Sequence, residues 1–152
     1  MPTIWIVAAD SFRARILEKK EPGQPLLELD DLLNPVGREQ DREVGKDERG
    51  RFSGGGGIGT PGQANTGEPH HSLTDHAIER FADTVAEYLN KGRNEHRYQK
   101  LFIVAAPKFL GRLRSNLNKE VEKLVEKDLP YDISAFNEHQ IAEFVGEKFG
   151  LR

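Results

Sequence analysis

Four groups of side chains in this chain are of types that could do chemistry. Asp10 closes an apolar run, Ile4 to Ala9, where a carboxylate at a strand end could hold a metal. Two-metal chemistry needs several converging carboxylates. A second apolar run, Leu101 to Ala106, leads into Pro107 without an acid. Asp10-Ser11 therefore reads as a turn, because both side chains can bond nearby backbone, and no metal-dependent nuclease activity is expected. His70, His71, Asp75 and His76 are the one histidine cluster. His71 and Asp75 are spaced to share a helix face and a metal, but no further ligand is identifiable, so a solvated helix start is the better reading and no metal is expected. Gly54-x-Gly56-x-x-Gly59 matches a dinucleotide fingerprint in letters only. That chemistry needs a strand before and a helix after; charged sequence precedes and Thr60-Pro61-Gly62 follows, so no cofactor is expected. Finally, Lys108, Arg112 and Arg114 follow the second apolar run, near the strand ends where α/β sheets bind ligands. With Arg13 or Arg15 they could form a phosphate-binding patch. The competing reading makes them exposed charges on a short helix whose Phe109, Leu110 and Leu113 face the core.

Composition narrows the classes further. The 152 residues suit one domain. With no cysteine there are no disulfides, thiolate zinc sites, iron–sulfur clusters or cysteine nucleophiles. A formal charge of −3 argues against bulk electrostatic binding to nucleic acid, DNA included, or to membrane, while leaving room for a local basic face. No apolar stretch approaches the ~20 residues needed to span a bilayer, so no membrane insertion is expected. Met1-Pro2-Thr3 puts no basic stretch before the first apolar run, so no signal peptide is expected and the expected location is the cytoplasm.

The elements that must position these groups follow from pattern. Ile4 to Ala9 and Leu101 to Ala106 are continuous apolar runs, the mark of strands covered on both faces. Arg13 to Lys19 starts with polar/apolar alternation, and Leu26 to Leu33 alternates less cleanly, which suits a strand nearer an edge. Tight turns at Asp10-Ser11 and at Glu21 to Pro25 join these first three strands into an antiparallel meander. Between Gly37 and Gly67 lie ten of the 15 glycines, and Arg38 to Arg51 carries five basic and five acidic residues. Such a stretch buries too little apolar surface to offset its ordering entropy, so a flexible loop over about 38–68 is expected. Ser72 and Thr74 are candidate helix caps, ahead of Ile78, Phe81, Ala82, Val85 and Leu89 at helical spacing, with Gly92 as the stop. Phe109, Leu110, Leu113 and Leu117 suggest a short helix that Glu120 to Lys123 could extend. Leu124 to Leu129 reads as a fifth strand ended by Pro130, and Ile141, Phe144, Val145 and Phe149 as a C-terminal helix ended by Gly150. The whole is a single α/β domain over 1–152: a mixed five-stranded sheet, order 3-2-1-4-5, with helices on its faces and a long glycine-rich loop after the third strand. That arrangement is ribonuclease-H-like.

Several segments carry a resemblance in order along the chain. Trp5-Ile6-Val7-Ala8-Ala9-Asp10-Ser11-Phe12-Arg13-Ala14-Arg15-Ile16 is similar to the opening of bacterial host attachment proteins. Arg51-Phe52-Ser53-Gly54-Gly55, Glu79-Arg80-Phe81-Ala82, Val104 to Gly111 and Val125-Glu126-Lys127-Asp128-Leu129 resemble further segments of that family. The family is in turn similar to the central domain of archaeal and eukaryotic peptide-chain release factors, which is ribonuclease-H-like. In those factors a Gly-Gly-Gln motif in the loop after the third strand promotes hydrolysis of peptidyl-tRNA; the corresponding residues here are Pro61-Gly62-Gln63. The resemblance implies two functions. In one, the body is a non-enzymatic binding module for RNA or the ribosome and affects cell attachment indirectly. In the other, Gln63 and Gly62 serve a ribosome-associated peptidyl-tRNA ester hydrolase. The first is preferred, because no set of residues supplies a self-contained acid, base and nucleophile.

Overall fold

Ile4–Ala9 (β1) is buried along nearly its whole length because it pairs on both sides. Arg13–Lys19 (β2) runs antiparallel to it, in register from Ala9↔Ala14 to Ile4↔Lys19. Lys100–Ala105 (β4) runs parallel to it, from Ile4↔Lys100 to Ala9↔Ala105. Leu27–Leu33 (β3) adds antiparallel to β2, and Val125–Leu129 (β5) adds parallel to β4. The five-stranded order is β3-β2-β1-β4-β5, the mixed ribonuclease-H-like sheet the pattern predicts, with β3 on an edge and the two apolar strands adjacent at the centre. The computed structural model of the chain describes residues 2–35 and 60–151, with side chains from residue 74 onward in the second stretch. The expected glycine-rich loop lies outside the described residues up to position 59.

Helices cover both faces. Thr60–Asn94 (α1), Pro107–Asn116 (α2) and Lys119–Leu124 (α3) pack on one side, where Phe81, Ala82, Val85 and Leu89 of α1 meet Trp5, Val7, Leu101 and Ile103 of the sheet. Glu138–Phe149 (α4) packs on the other, its Ile141 and Val145 against Ile6, Ala8, Leu17, Phe102 and Val104. Complete burial of aliphatic side chains of this size stabilises by roughly 1.5–3 kcal/mol each, so the alternation along β1 and β4 decides which residue feeds which core.

Three expectations are corrected. Helix α1 begins at Thr60, not at Ser72 or Thr74, so its backbone takes in residues 60–68 of the expected loop. Pro61 suits a first helical turn, where its missing N–H costs nothing; Gly62, Gly67 and Pro69 are poor helix formers, which is why the segment reads as loop. Gly92 is not a stop, since α1 continues to Asn94 and the left-handed residue beyond it is His96 at φ 58°. Its absent side chain makes room for the indole: a Cβ there would lie 2.6 Å from Trp5 Cη2. Finally, α3 does not extend α2. Leu117 is extended, and Asn118 starts a new helix by accepting a bond from the Val121 N–H at 2.8 Å.

The lower end of the first core is locked by aromatic groups. Trp5 stacks on Tyr98 with centroids 4.6 Å apart, and Arg97 lies 5.1 Å from the Trp5 ring. The indole N–H donates to Glu18 Oε2 at 3.1 Å, and the Tyr98 hydroxyl donates to the Leu89 carbonyl at 2.7 Å. On the other side, α4 starts with a reciprocal cap between Asn137 and Gln140 and ends at Gly150, φ 70°.

Candidate functional site

The carboxyl ends of β1 and β4 lie together, with the Ala106 N–H donating to the Ala9 carbonyl. Asp10 follows directly. One of its carboxylate oxygens accepts from the Phe12 and Arg13 N–H groups at 2.8 and 2.9 Å, building the turn into β2 as the Asp-Ser signal predicts. The other accepts from the Ser134 hydroxyl at 2.8 Å, and that hydroxyl is also 2.7 Å from Asp132 Oδ1. A hydroxyl has one proton, so it donates to one carboxylate at a time. Ser134 itself is buried.

The arginines of β2 continue this polar network. Arg15 is 5% exposed, so its charge must be matched inside the protein. Its Nη2 lies 2.7 Å from Glu28 Oε1, and its Nη1 donates to the Ser134 carbonyl at 3.1 Å and to the Phe136 carbonyl. Arg13 makes a two-pronged pair with Asp31, at 2.9 and 2.8 Å, and also donates to the Ser134 carbonyl at 3.2 Å. Its hydrogen bonding to Asp31 holds the guanidinium above its ordinary pKa, against the opposing effect of burial. Both arginines therefore tie β3 on one side and the chain around Ser134 on the other to β2. This clamp is absent from the sequence reading, although a signal exists. Two arginines two apart in a strand with apolar neighbours point to one side, and Asp132-Ile133-Ser134 has the spacing of an Asx turn, in which Asp132 accepts the Ser134 N–H at 3.1 Å.

The cations of α2 sit elsewhere. Lys108 is exposed in the first turn. Arg112 reaches Glu79 at 3.3 Å and Asp75 at 3.5 Å, both on α1, and Arg114 reaches Asp128 of β5 at 3.5 Å. Phe109, Leu110 and Leu113 of the same helix enter the first core. Arg13 and Arg15 bond to the chain that covers the opposite, α4 side, so the sheet stands between them and the α2 cations. Lys108, Arg112 and Arg114 thus share α2 but reach to different neighbours, Arg112 to α1 and Arg114 to β5, and Arg13 lies apart from all three. Gly62 and Gln63 lie in the first turn of α1, and their side chains are outside the described set. Of the histidine cluster, His76 is exposed on α1. Among the described residues no group of three or more potential metal-ligating side chains comes together, and no helix is long and apolar enough to cross a membrane.

A mixed sheet in this order, with three helices on one face and one on the other, has a counterpart among solved structures. The crystal structure of an archaeal translation termination factor superposes on 98% of this chain with a TM-score of 0.51 at 13% identity, and the chain covers 40% of that factor. The chain belongs to the family described as proteins required for attachment to host cells, which matches over residues 5–145. An uncharacterized protein of Rickettsia prowazekii (strain Madrid E) is 36% identical over 72 residues, a stretch that covers 46% of this chain and 48% of the relative. The chain thus matches about half the length of that curated relative.

Proposed function

We propose that the folded body is a non-enzymatic binding module for RNA or the translation apparatus, working in the cytoplasm, and that its part in attachment to host cells is indirect. The observation that carries this reading is the likeness of fold to a translation termination factor along 98% of the chain. The α2 cations supply the chemistry. Lys108 has no ion-pair partner among the described residues, and the pairs of Arg112 and Arg114 are open to solvent. Exposed pairs of this kind are worth little and are screened by salt, so a phosphate can take the place of their carboxylates. Arg13, held by Asp31 and the Ser134 carbonyl, would add a phosphate contact only by exchanging that pair.

The enzymatic alternative has one point in its favour: Pro61-Gly62-Gln63 follows the third strand and the glycine-rich segment, on the connection where the release-factor resemblance puts its motif. Against it, Pro61 fixes φ where those factors have glycine. The test is salt-dependent association with ribosomes and RNA from the source cells. Replacing Lys108, Arg112 and Arg114 together with glutamine is expected to weaken binding and to lower the salt slope by about 3. Binding with unchanged affinity and slope in that variant would remove α2 from the interface.

A further inference from the structure

At the end of the sheet away from Asp10, one register row crosses the three central strands. Ile4 of β1 is paired with Lys19 of β2 on one side and with Lys100 of β4 on the other. Paired residues on neighbouring strands point to the same face, so the two lysines flank Ile4 with Cα atoms roughly 10 Å apart, two strand spacings. The face is that of α4, because Ile4 packs against its core. Above the row lies a cavity of about 310 Å³, which Lys19, Lys100 and Lys20 line together with one acid, Glu21. Ile4 contributes apolar surface below, and Pro22 and Leu151 contribute apolar surface around it.

Lys19 is the unusual member. It is 7% exposed, yet its Nζ donates only to the Gln24 carbonyl, at 2.7 Å, among the described residues. An ammonium carries three donors, so two can be given to water or to a ligand. No carboxylate lies within ion-pair distance of it among the described residues, although Glu143 and Glu147 line the adjoining cavity that Lys19 and Gln24 also border, whereas Lys20 has Glu18 at 3.8 Å. A buried charge without a counter-charge is costly, and a second ammonium from Lys100 facing the same cavity adds repulsion. An anion between them would remove both costs. A turn that only needed closing, Glu21 to Pro25, would be served by a neutral donor at position 19.

We propose that this cavity is a binding site for a small organic anion, a carboxylate or phosphate head on a short apolar body. The head lies between Lys19 and Lys100, with Lys20 at the mouth, and the body lies against Ile4, Pro22 and Leu151. The volume is at the lower end for small-molecule pockets, which run from about 300 to 1,000 Å³, and this favours a ligand of few heavy atoms over a polymer. The site is separate from the α2 cations, which pack on the other face, and does not depend on the proposed binding of RNA.

The experiment is an amide NMR titration of the full chain with butyrate, butyl phosphate and butylammonium. The expected result is saturable shifts at Ile4, Lys20, Lys100 and Leu151 with one or both anions and none with the cation, the tighter anion identifying the head group. Lys100→Gln, at an exposed position, is expected to weaken binding about tenfold, the loss of one charge-assisted hydrogen bond. Lys19→Met, which keeps the stem and removes the charge, is expected to do the same, while Lys123→Gln on α3 leaves affinity unchanged. Three results would each overturn the proposal: absence of saturation with either anion, equal binding of butylammonium, or unaltered anion affinity in Lys100→Gln.

Discussion

The two faces of the sheet are covered by different means. On one face three helices lie over Trp5, Val7, Ile16, Leu101 and Ile103, and the contact is almost wholly apolar. On the other, α4 covers the centre, while the irregular chain from Pro130 to Asn137 lies over β2. Helices satisfy their own backbone groups, so a helix-covered face needs only hydrophobic side chains. Irregular chain brings carbonyls that must find donors, and here β2 supplies them from Arg13 and Arg15 to Ser134 and Phe136. A buried arginine on a strand thus marks the place where a sheet is covered by loop.

Breaking the clamp is therefore expected to cost more than disturbing the apolar face. Arg15→Ala removes one member of a buried pair and leaves Glu28, with 18% of its side chain exposed, without its partner. The expected loss in chemical denaturation is about 3–5 kcal/mol; a loss below about 1 kcal/mol would mean that water replaces the guanidinium at small cost. Gly92→Val tests the opposite face. The new Cβ would meet the Trp5 ring at 2.6 Å, so the expected cost is about 1–3 kcal/mol, with a shift in tryptophan emission as the indole moves. Wild-type stability with unchanged emission would show that α1 moves away from the sheet freely.

The smallest effect concerns Tyr98. Burial pushes its phenol well above the ordinary value, outweighing the opposite influence of Arg93. The folded value thus exceeds the unfolded one of about 10, so the neutral phenol's contribution is complete below about pH 10. It is lost as the pH climbs from there through the raised folded value. Stability is expected to fall above about pH 10, and Tyr98→Phe to flatten that fall. The variant also loses the hydrogen bond to the Leu89 carbonyl, at a cost of about 1 kcal/mol. An unchanged alkaline slope in Tyr98→Phe would place the responsible group elsewhere.

The apolar face is the part that the sequence announces. Ile4 to Ala9 and Leu101 to Ala106 are legible as central strands because doubly covered strands have no polar phase. Ile78, Phe81, Val85 and Leu89 are legible because their spacing is helical. The strand order follows from the meander and the helical connections. The start of α1 at Thr60 is not legible, since Gly62, Gly67 and Pro69 oppose helix on propensity. Neither is the clamp: Arg15 and Ser134 are far apart in the chain, and a charged residue in a strand reads as solvent-facing until the covering segment is placed. Asp10 is the exception, because its turn is local and its N–H partners lie within three residues. The α2 cations were legible as a cluster, but their carboxylates come from α1 and β5, and only the fold brings those close.

The central claim is that this family member binds without catalysing, and peptide release from stalled ribosomes tests it most directly. The 152-residue chain and its Gln63→Ala variant are added to ribosomes carrying peptidyl-tRNA, and released peptide and ribosome-bound protein are measured together. Both proteins are expected to sediment with ribosomes to the same extent, with release at the background rate. Release well above background that disappears in Gln63→Ala would contradict the claim and make the chain a peptidyl-tRNA hydrolase.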